Sequence, residues 1–207
     1  MTEINVPVID IAPYLNGADG VVGQVRDACE GIGFFAITGH GVEPEIIDSL
    51  RRTAKSFFAR PADEKATVHH ADPALPRGYR AIGDEGLAYG SGEETPPDLK
   101  EVFHMGPPDF PDEDYFTCDA AGAHFIENVY PDQPAEFRAA ASTYYRHLEE
   151  LGQTIEGIFA HALDLPPDFF TEAFKEPQYS FRLAHYPPVE AEDNQFGIAA
   201  HTDSSFM

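Results

Sequence analysis

The sharpest chemical feature of the 207-residue sequence is the triplet His201-Thr202-Asp203, which follows a short apolar segment. Residues i and i+2 of an extended chain point to the same face, so the imidazole of His201 and the carboxylate of Asp203 converge on one point. One neutral imidazole and one carboxylate suit Fe(II), Mn(II) or Zn(II), and they would supply two of the three ligands of a facial non-haem iron site. A hydrogen bond between His201 and Asp203 at a strand end explains the same pair without a metal, so the triplet leaves both interpretations open.

Short strands must position these two side chains. Apolar and alternating patterns predict strands over 179–186 and 196–201, joined by a polar loop, and a further strand over 99–105. Residues 69–98 are rich in glycine and proline and are predicted as long loops with one short strand over 77–80. Loops of this length in a compact domain usually form lids or binding sites.

Helices precede most of these strands, although two short strands, 6–11 and 34–38, are predicted near the start of the chain. Apolar residues at helical spacing predict helices over 19–32, 44–60, 134–165 and 168–174. Residues 107–134 are predicted as loop. This order indicates an α+β protein and disfavours the alternating order of a Rossmann fold.

The charge of the chain excludes several partners. There are 36 acidic and 13 basic residues, which gives a formal charge of -23, and 43% of the residues are hydrophobic. Because no basic cluster could neutralise phosphates, we predict no nucleic-acid partner, and an anionic membrane would repel the protein. The start of the sequence shows no signal-peptide pattern, and no apolar run is long enough for a membrane span.

The two cysteines, Cys29 and Cys118, show neither CxxC spacing nor a disulfide framework, which is typical of a reducing compartment. Cys29 lies on the apolar stripe of its predicted helix and is expected to be buried. Together with the preceding features, the cysteines predict a cytoplasmic protein.

Six short motifs occur in order along nearly the whole chain. They are VPVID at 6–10, GFFAITGHGV at 33–42, FFARPADEK at 57–65, GY at 78–79, DLKEVF at 98–103, and SFRLAHYPP at 180–188 followed by GIAAHTD at 197–203. Each motif is weak alone, but six in register are specific. The sequence resembles the isopenicillin N synthase-like branch of the iron- and 2-oxoglutarate-dependent dioxygenases.

The resemblance implies a double-stranded β-helix (jelly-roll) core with an N-terminal helical region. It implies that Fe(II) binds His201, Asp203 and a second histidine, while 2-oxoglutarate occupies two further positions on the metal. The expected reaction couples 2-oxoglutarate decarboxylation by O2 to the hydroxylation, desaturation or cyclisation of a small metabolite, as in secondary metabolism. A site of this kind must hold the reacting carbon in place and exclude water.

The resemblance also assigns roles residue by residue. Tyr186 matches a tyrosine that binds the 2-oxoglutarate carboxylate in many relatives, although a core aromatic on a strand is an equal alternative. Ala184 stands where the family has an asparagine. Three aromatic residues are expected to line the substrate pocket because the family places substrate beside their segments: Tyr79, Tyr89 and Phe103.

Several charged residues and histidines are expected to be structural. Arg182 is predicted to form a salt bridge, and Lys100 is predicted to stabilise the edge of the core. His40 matches a structural histidine of the family rather than a ligand. His185 replaces a family tyrosine and is predicted to pack or to lie at the surface.

The motif order predicts an N-terminal dioxygenase region over 1–118, and the long helix with the first part of the β-helix core over 119–207. The second histidine ligand and the arginine-serine pair that anchors 2-oxoglutarate are expected beyond Met207, so we expect the chain to be part of a longer enzyme and inactive alone. Two alternatives stay open. One is an Fe(II)/O2 oxidase of the same fold that does not use 2-oxoglutarate, which Ala184 favours, and the other is a non-catalytic binding protein.

Overall fold

The computed structural model describes residues 5–72, 74–86, 96–175, 177 and 179–201. The chain divides into two compact units, one formed by Met1–Asp48 with Thr143–Pro177 and the other by Ser49–Ser142 with Gln178–Met207. In chain order, the helices and strands are β1 (Val8–Asp10), α1 (Ala12–Leu15), α2 (Gly20–Glu30), β2 (Ala36–Thr38), α3 (Pro44–Phe58), α4 (Ala62–Lys65), β3 (Gly78–Arg80), β4 (Glu101–Met105), α5 (Asp114–Thr117), α6 (Phe137–Ala162) and β5 (Phe181–His185).

The first unit is built around a parallel pair of strands. Strand β1 pairs with β2 so that Ile9 lies opposite Ile37, and α1 and α2 lie between the two strands in sequence. Helix α2 buries a narrow stripe at spacings of four and three residues, Val21, Val25 and Ala28. These side chains form a core with the residues of β1 and with the second half of α6, where Ile158 is fully buried.

The turn after β2 requires glycine. Gly39 has a φ of 65°, and a Cβ atom there would lie 2.0 Å from Asp10 Oδ1. The next residue, His40, accepts a hydrogen bond at Nδ1 from the Val42 backbone N–H at 3.2 Å. His40 therefore stabilises this turn, which is the structural role expected for it.

We expect Ile9→Val to lower the free energy of unfolding by about 0.5–1.5 kcal/mol, because removal of one methylene from a well-packed site leaves a cavity. Ile9 is 1% exposed in the core of the first unit. The matched control is Ile32→Val, since Ile32 is 42% exposed and its change should stay within about 0.5 kcal/mol. Urea unfolding of both variants measures the difference, and equal losses at the two positions would contradict the assignment of Ile9 to the core.

The second unit contains an antiparallel sheet in the order β3-β4-β5. Tyr79 of β3 lies opposite Phe103 of β4, which in turn lies opposite Leu183 of β5. Because directly opposed residues share a face of the sheet, these three side chains point to one side, and His104 with its partner Arg182 points to the other.

One face of this sheet packs on aromatic side chains. The ring of Phe57, from the last turn of α3, lies 5.7 Å from that of Phe103 and 5.3 Å from that of Phe137. Phe103 and Phe137 are in edge-on contact at 4.7 Å, and all three rings are fully buried. Aromatic pairs at these distances add to the stabilisation that burial of their area gives.

Most predicted elements are confirmed within a few residues, including the strand signals at β1 to β5 and the long helix α6, but three segments differ. Residues 107–134 contain α5 and a 3₁₀ turn over Ala121–Ala123, because Phe110, Phe116 and Phe125 form an aromatic cluster of their own. Residues 168–174 form separate turns rather than a helix. Residues 196–201 form no strand, because the Ala199 amide donates to the Asp98 side chain rather than to a neighbouring strand.

The prediction that Cys29 is buried is wrong. Both Cys29 and Cys118 are exposed free thiols. Cys29 directly follows Ala28, and the buried stripe of α2 is one residue wide at that point, so the thiol falls outside it. Over the part of the chain that the structure describes, no helix combines the length and apolar character needed to cross a bilayer.

Candidate metal-binding site

His201 is held in one tautomer by the backbone. Its Nδ1 lies 2.8 Å from the carbonyl oxygen of Ala199. Because a carbonyl can accept but not donate, Nδ1 carries the proton, and in the neutral imidazole the lone pair is then on Nε2. A histidine that binds a metal ion is usually fixed in this way, with one nitrogen donating to a carbonyl and the other facing the metal. The exposed side chain of His201 therefore has the chemistry of a metal ligand.

The second predicted ligand, Asp203, lies outside the described residues, and so does the predicted pocket residue Tyr89. Within residues 5–72, 74–86, 96–175, 177 and 179–201, no three His, Cys, Asp or Glu side chains form a group that could hold a metal ion. The donor chemistry of His201 fits Fe(II), and the assignment of His201 and Asp203 as ligands stays a prediction.

The segment before His201 is attached to residues 97–99 at three points. The Leu99 N–H donates to the Phe196 carbonyl at 2.8 Å, and Gln195 Nε2 donates to the Pro97 carbonyl at 3.0 Å. The Ala199 N–H donates to Asp98 Oδ1 at 3.0 Å. The other oxygen of Asp98 is paired with the ammonium group of Lys100, and both side chains are buried. Lys100 thus stabilises the core edge, as its position in the sequence predicts.

Tyr186 directly follows β5 and is 49% exposed. Its ring lies against Gly197, where a Cβ atom would come within 3.0 Å of Tyr186 Cδ1. This contact brings Tyr186 next to the segment that carries His201. A residue that binds 2-oxoglutarate must lie close to the metal ligands, and Tyr186 meets this requirement. Its role in binding 2-oxoglutarate stays a prediction.

Tyr79 and Phe103 lie on the packed face of the sheet. The Tyr79 hydroxyl donates to Glu101 Oε2 at 2.5 Å, and burial, followed by this hydrogen bond, raises the pKa of Tyr79. Phe103 is fully buried among Phe57 and Phe137. Both residues therefore have packing partners on that face, and the substrate-pocket role expected of them stays a prediction.

Glu101 is the centre of a buried polar cluster on the same face. Its Oε2 accepts hydrogen bonds from Lys65 Nζ and from the Tyr79 hydroxyl, each at 2.5 Å, and its Oε1 accepts from His185 Nδ1 at 2.7 Å. His185 also stacks on Phe58 at 5.1 Å between ring centroids, which gives it the packing role expected. Burial acts to raise the pKa of Glu101, but the three hydrogen bonds and the charge of Lys65 hold it below its ordinary value of 4.5.

A second polar cluster lies at the opposite face. His104 Nε2 donates to Glu85 Oε1 at 2.7 Å, and Arg182 is paired with the other oxygen of Glu85, which confirms the salt bridge predicted for Arg182. Burial acts to raise the pKa of Glu85, yet the hydrogen bond and charge of His104 and the charge of Arg182 lower it overall. Nδ1 of His104 is buried and makes no hydrogen bond within the described residues.

The depressed pKa values of Glu85 and Glu101 predict loss of stability in acid. A carboxylate whose folded-state pKa lies below 4.5 contributes fully above pH 4.5, and its contribution is lost as the pH falls below 4.5 through the folded-state value. As the pH falls, the free energy of unfolding of Glu101→Gln should decrease less steeply than that of the parent protein. The difference in slope should be at most about 1.4 kcal/mol per pH unit. Urea unfolding between pH 7 and pH 3.5 measures it. Parallel curves for the parent protein and Glu101→Gln would contradict the prediction.

The sequence did not identify Glu85, Asp98 or Glu101 as important residues. The charged residues of the motif DLKEVF could have indicated them. Asp98 and Lys100 are two residues apart in an extended segment, so their side chains share a face. Charged residues beside a strand that is otherwise apolar need buried partners, which makes them candidates for structural or functional roles.

The sequence of the chain is similar to those of known dioxygenases. Residues 6–133 match the family model described as the N-terminal region of non-haem dioxygenases in morphine synthesis. A 2-oxoglutarate-dependent dioxygenase of Didymella fabae is 36% identical over 214 residues, which cover 95% of this chain and 62% of that protein. The chain thus spans less than two thirds of the length of this curated relative.

The fold of the chain is also similar to that of solved oxygenase structures. A 2OG-Fe(II) oxygenase family protein from Caulobacter crescentus superimposes with a TM-score of 0.71 at 25% identity, over 93% of this chain and 60% of that one. The structure of JOX2 in complex with 2OG, Fe and JA gives a TM-score of 0.66 at 26% identity, over 90% of this chain and 49% of JOX2. The predicted α+β jelly-roll fold class is confirmed. Since this family model matches more than half of its residues, the chain belongs to the non-haem dioxygenase family.

Proposed function

We propose that the protein is an Fe(II)/2-oxoglutarate-dependent dioxygenase that oxidises a C–H bond of a small molecule with O2. The observation that carries this proposal is the tautomer of His201, in which Nδ1 donates to the Ala199 carbonyl and the lone pair of the neutral imidazole is on Nε2. The names of the relatives support the co-substrate and the metal, since the Didymella fabae protein is called a 2-oxoglutarate-dependent dioxygenase and JOX2 was solved with 2OG and Fe.

The proposal assigns a role to each residue of the site. His201 and Asp203 bind the iron, and Tyr186 donates a hydrogen bond from its hydroxyl to a carboxylate of 2-oxoglutarate. Tyr89 lines the substrate pocket, while Tyr79 and Phe103 support that pocket from the packed face of the sheet. Bound iron supplies the activation of O2, and the chain itself positions the two small molecules and keeps water away from them.

Charge sets a requirement on this site. 2-Oxoglutarate is a dianion, and the chain carries a formal charge of -23, so local positive charge must attract the co-substrate. The metal ion provides part of that charge. Arg182 is already paired with Glu85, which makes it a weak candidate for the rest. The exposed, unpaired thiols of Cys29 and Cys118 support a cytoplasmic location.

The test is an anaerobic Fe(II) titration of the full protein followed by addition of O2 with and without 2-oxoglutarate. We expect stoichiometric iron binding and O2-dependent release of succinate when 2-oxoglutarate is present. Substrate turnover without 2-oxoglutarate would instead support an oxidase of the same fold, an alternative that Ala184 favours because the family has an asparagine there. Failure to bind iron would support a non-catalytic binding protein.

A further inference from the structure

We propose that Asp98 is a positioning residue for the metal ligand His201 and acts on it through the backbone of Ala199. The inference rests on the proposed function, because it takes His201 as an iron ligand. It goes further by assigning control of that ligand to a buried carboxylate more than a hundred residues earlier in the sequence.

Two consecutive hydrogen bonds connect the carboxylate to the imidazole. Asp98 Oδ1 accepts from the Ala199 N–H at 3.0 Å, and the Ala199 carbonyl accepts from His201 Nδ1 at 2.8 Å. The first bond fixes the peptide segment and the second fixes the ring orientation and tautomer. A shift of Ala199 would therefore move the imidazole and the lone pair on Nε2.

The environment of Asp98 suits this task. The residue is 1% exposed, and Ala199 is also buried, so water cannot replace the bond between them. The other carboxylate oxygen of Asp98 is paired with the buried ammonium group of Lys100, and hydrogen bonds to a charged acceptor are stronger than those to a neutral one. Within the part of the chain that the structure describes, residues 196–201 belong to no strand, and the Asp98 side chain holds this segment together with the backbone hydrogen bond between Leu99 and Phe196.

Loss of the outer partner of a metal-binding histidine typically lowers metal affinity by about 10- to 100-fold. We expect the same range when the bond from Ala199 to Asp98 is removed. Loss of this bond should lower the metal affinity of the folded protein. If Asp98 had a purely structural role, its loss would lower the free energy of unfolding and leave the metal affinity of the folded protein unaltered.

Two double variants separate the effect of the hydrogen bond between Asp98 and Ala199 from that of the ion pair between Asp98 and Lys100. Asp98→Asn with Lys100→Gln is neutral, and its Asn Oδ1 still accepts from the Ala199 N–H. Asp98→Leu with Lys100→Met is also neutral and of similar volume, but it has no acceptor. Removal of both charges together avoids an unpaired buried charge, which would destabilise the fold. Asp98→Glu is a third variant, since it keeps the charge and displaces the acceptor by one methylene.

Each variant of the full protein is titrated with Co(II) in place of Fe(II), followed by visible absorption, and the hydrogen exchange of the Ala199 amide is measured without metal. We expect the Asn/Gln variant to bind Co(II) within about 3-fold of the parent protein. The Leu/Met variant should bind about 10- to 100-fold more weakly and exchange the Ala199 amide faster. Asp98→Glu should weaken Co(II) binding as well, and it serves as the test if the Leu/Met variant does not fold.

Parent-like Co(II) affinity in a folded Leu/Met variant or in Asp98→Glu would overturn the inference, and so would unchanged exchange of the Ala199 amide in the Leu/Met variant. A parent protein that binds no Co(II) would overturn the proposed function and this inference together. The parent titration therefore distinguishes failure of the positioning role from failure of the metal site itself.

Discussion

Replacement of His201 by alanine should weaken Fe(II) binding by more than about 100-fold and abolish succinate release from 2-oxoglutarate. Loss of an outer partner alone costs up to about 100-fold, and removal of the ligand itself must cost more. The imidazole is exposed and contributes little to the core, so the variant should fold like the parent protein. Anaerobic Fe(II) titration and a succinate assay measure the two effects.

The matched control is His147→Ala. His147 lies on α6, and its Nδ1 is 3.5 Å from Glu150 Oε2 in a surface pair, which contributes about 1 kcal/mol at most. This variant should keep the iron affinity and the succinate yield of the parent protein. Retention of parent-like iron binding in His201→Ala would remove His201 from the metal site and contradict the proposed function.

Local periodicity predicted most of the fold. The apolar spacing of α3 and α6 and the apolar segment at Glu101–Met105 indicated the right elements because burial imposes that spacing directly. The segment at 196–201 looks the same by this criterion, yet it forms no strand. Its Ala199 amide is bound by Asp98, a residue far away in sequence, and no local pattern contains that information.

The candidate site was predictable to a similar extent. The spacing of His201 and Asp203 indicated a metal site, and the order of the motifs indicated the family. The partners of the buried charges were not predictable, because Glu101 receives hydrogen bonds from α4, β3 and β5, which only the tertiary structure brings together. Tyr79 and Phe103 illustrate the same point, since strand register places both on the packed face of the sheet.

The sequence motifs and the structure each divide the chain into two parts. The motifs predict a boundary between residues 118 and 119, and this boundary stays a prediction. The compact units instead each combine an early and a late part of the chain, because α6 contributes Phe137 to one core and Ile158 to the other. A helix that serves two cores has one continuous sequence pattern, so its periodicity alone does not reveal the change of partner.

Replacement of Lys65 by methionine should lower the free energy of unfolding by about 3–5 kcal/mol, because removal of one partner from a buried ion pair leaves the other charge uncompensated. Lys65 Nζ donates to Glu101 Oε2 at 2.5 Å and to the Phe58 carbonyl at 3.0 Å. Both charged side chains are buried, so solvent screens the pair little. Urea unfolding of the full protein at pH 7 measures the loss.

Two further variants test whether the uncompensated charge is the cause. Lys55→Met makes the same substitution at an exposed position of α3 and should change the free energy of unfolding by less than about 0.5 kcal/mol. Lys65→Met combined with Glu101→Gln should be more stable than Lys65→Met alone, because the amide keeps an acceptor for the Tyr79 hydroxyl and carries no charge. If the double variant is instead less stable than Lys65→Met, the uncompensated charge is not the cause of the loss, and the Glu101 carboxylate stabilises the fold through its hydrogen bonds with Tyr79 and His185.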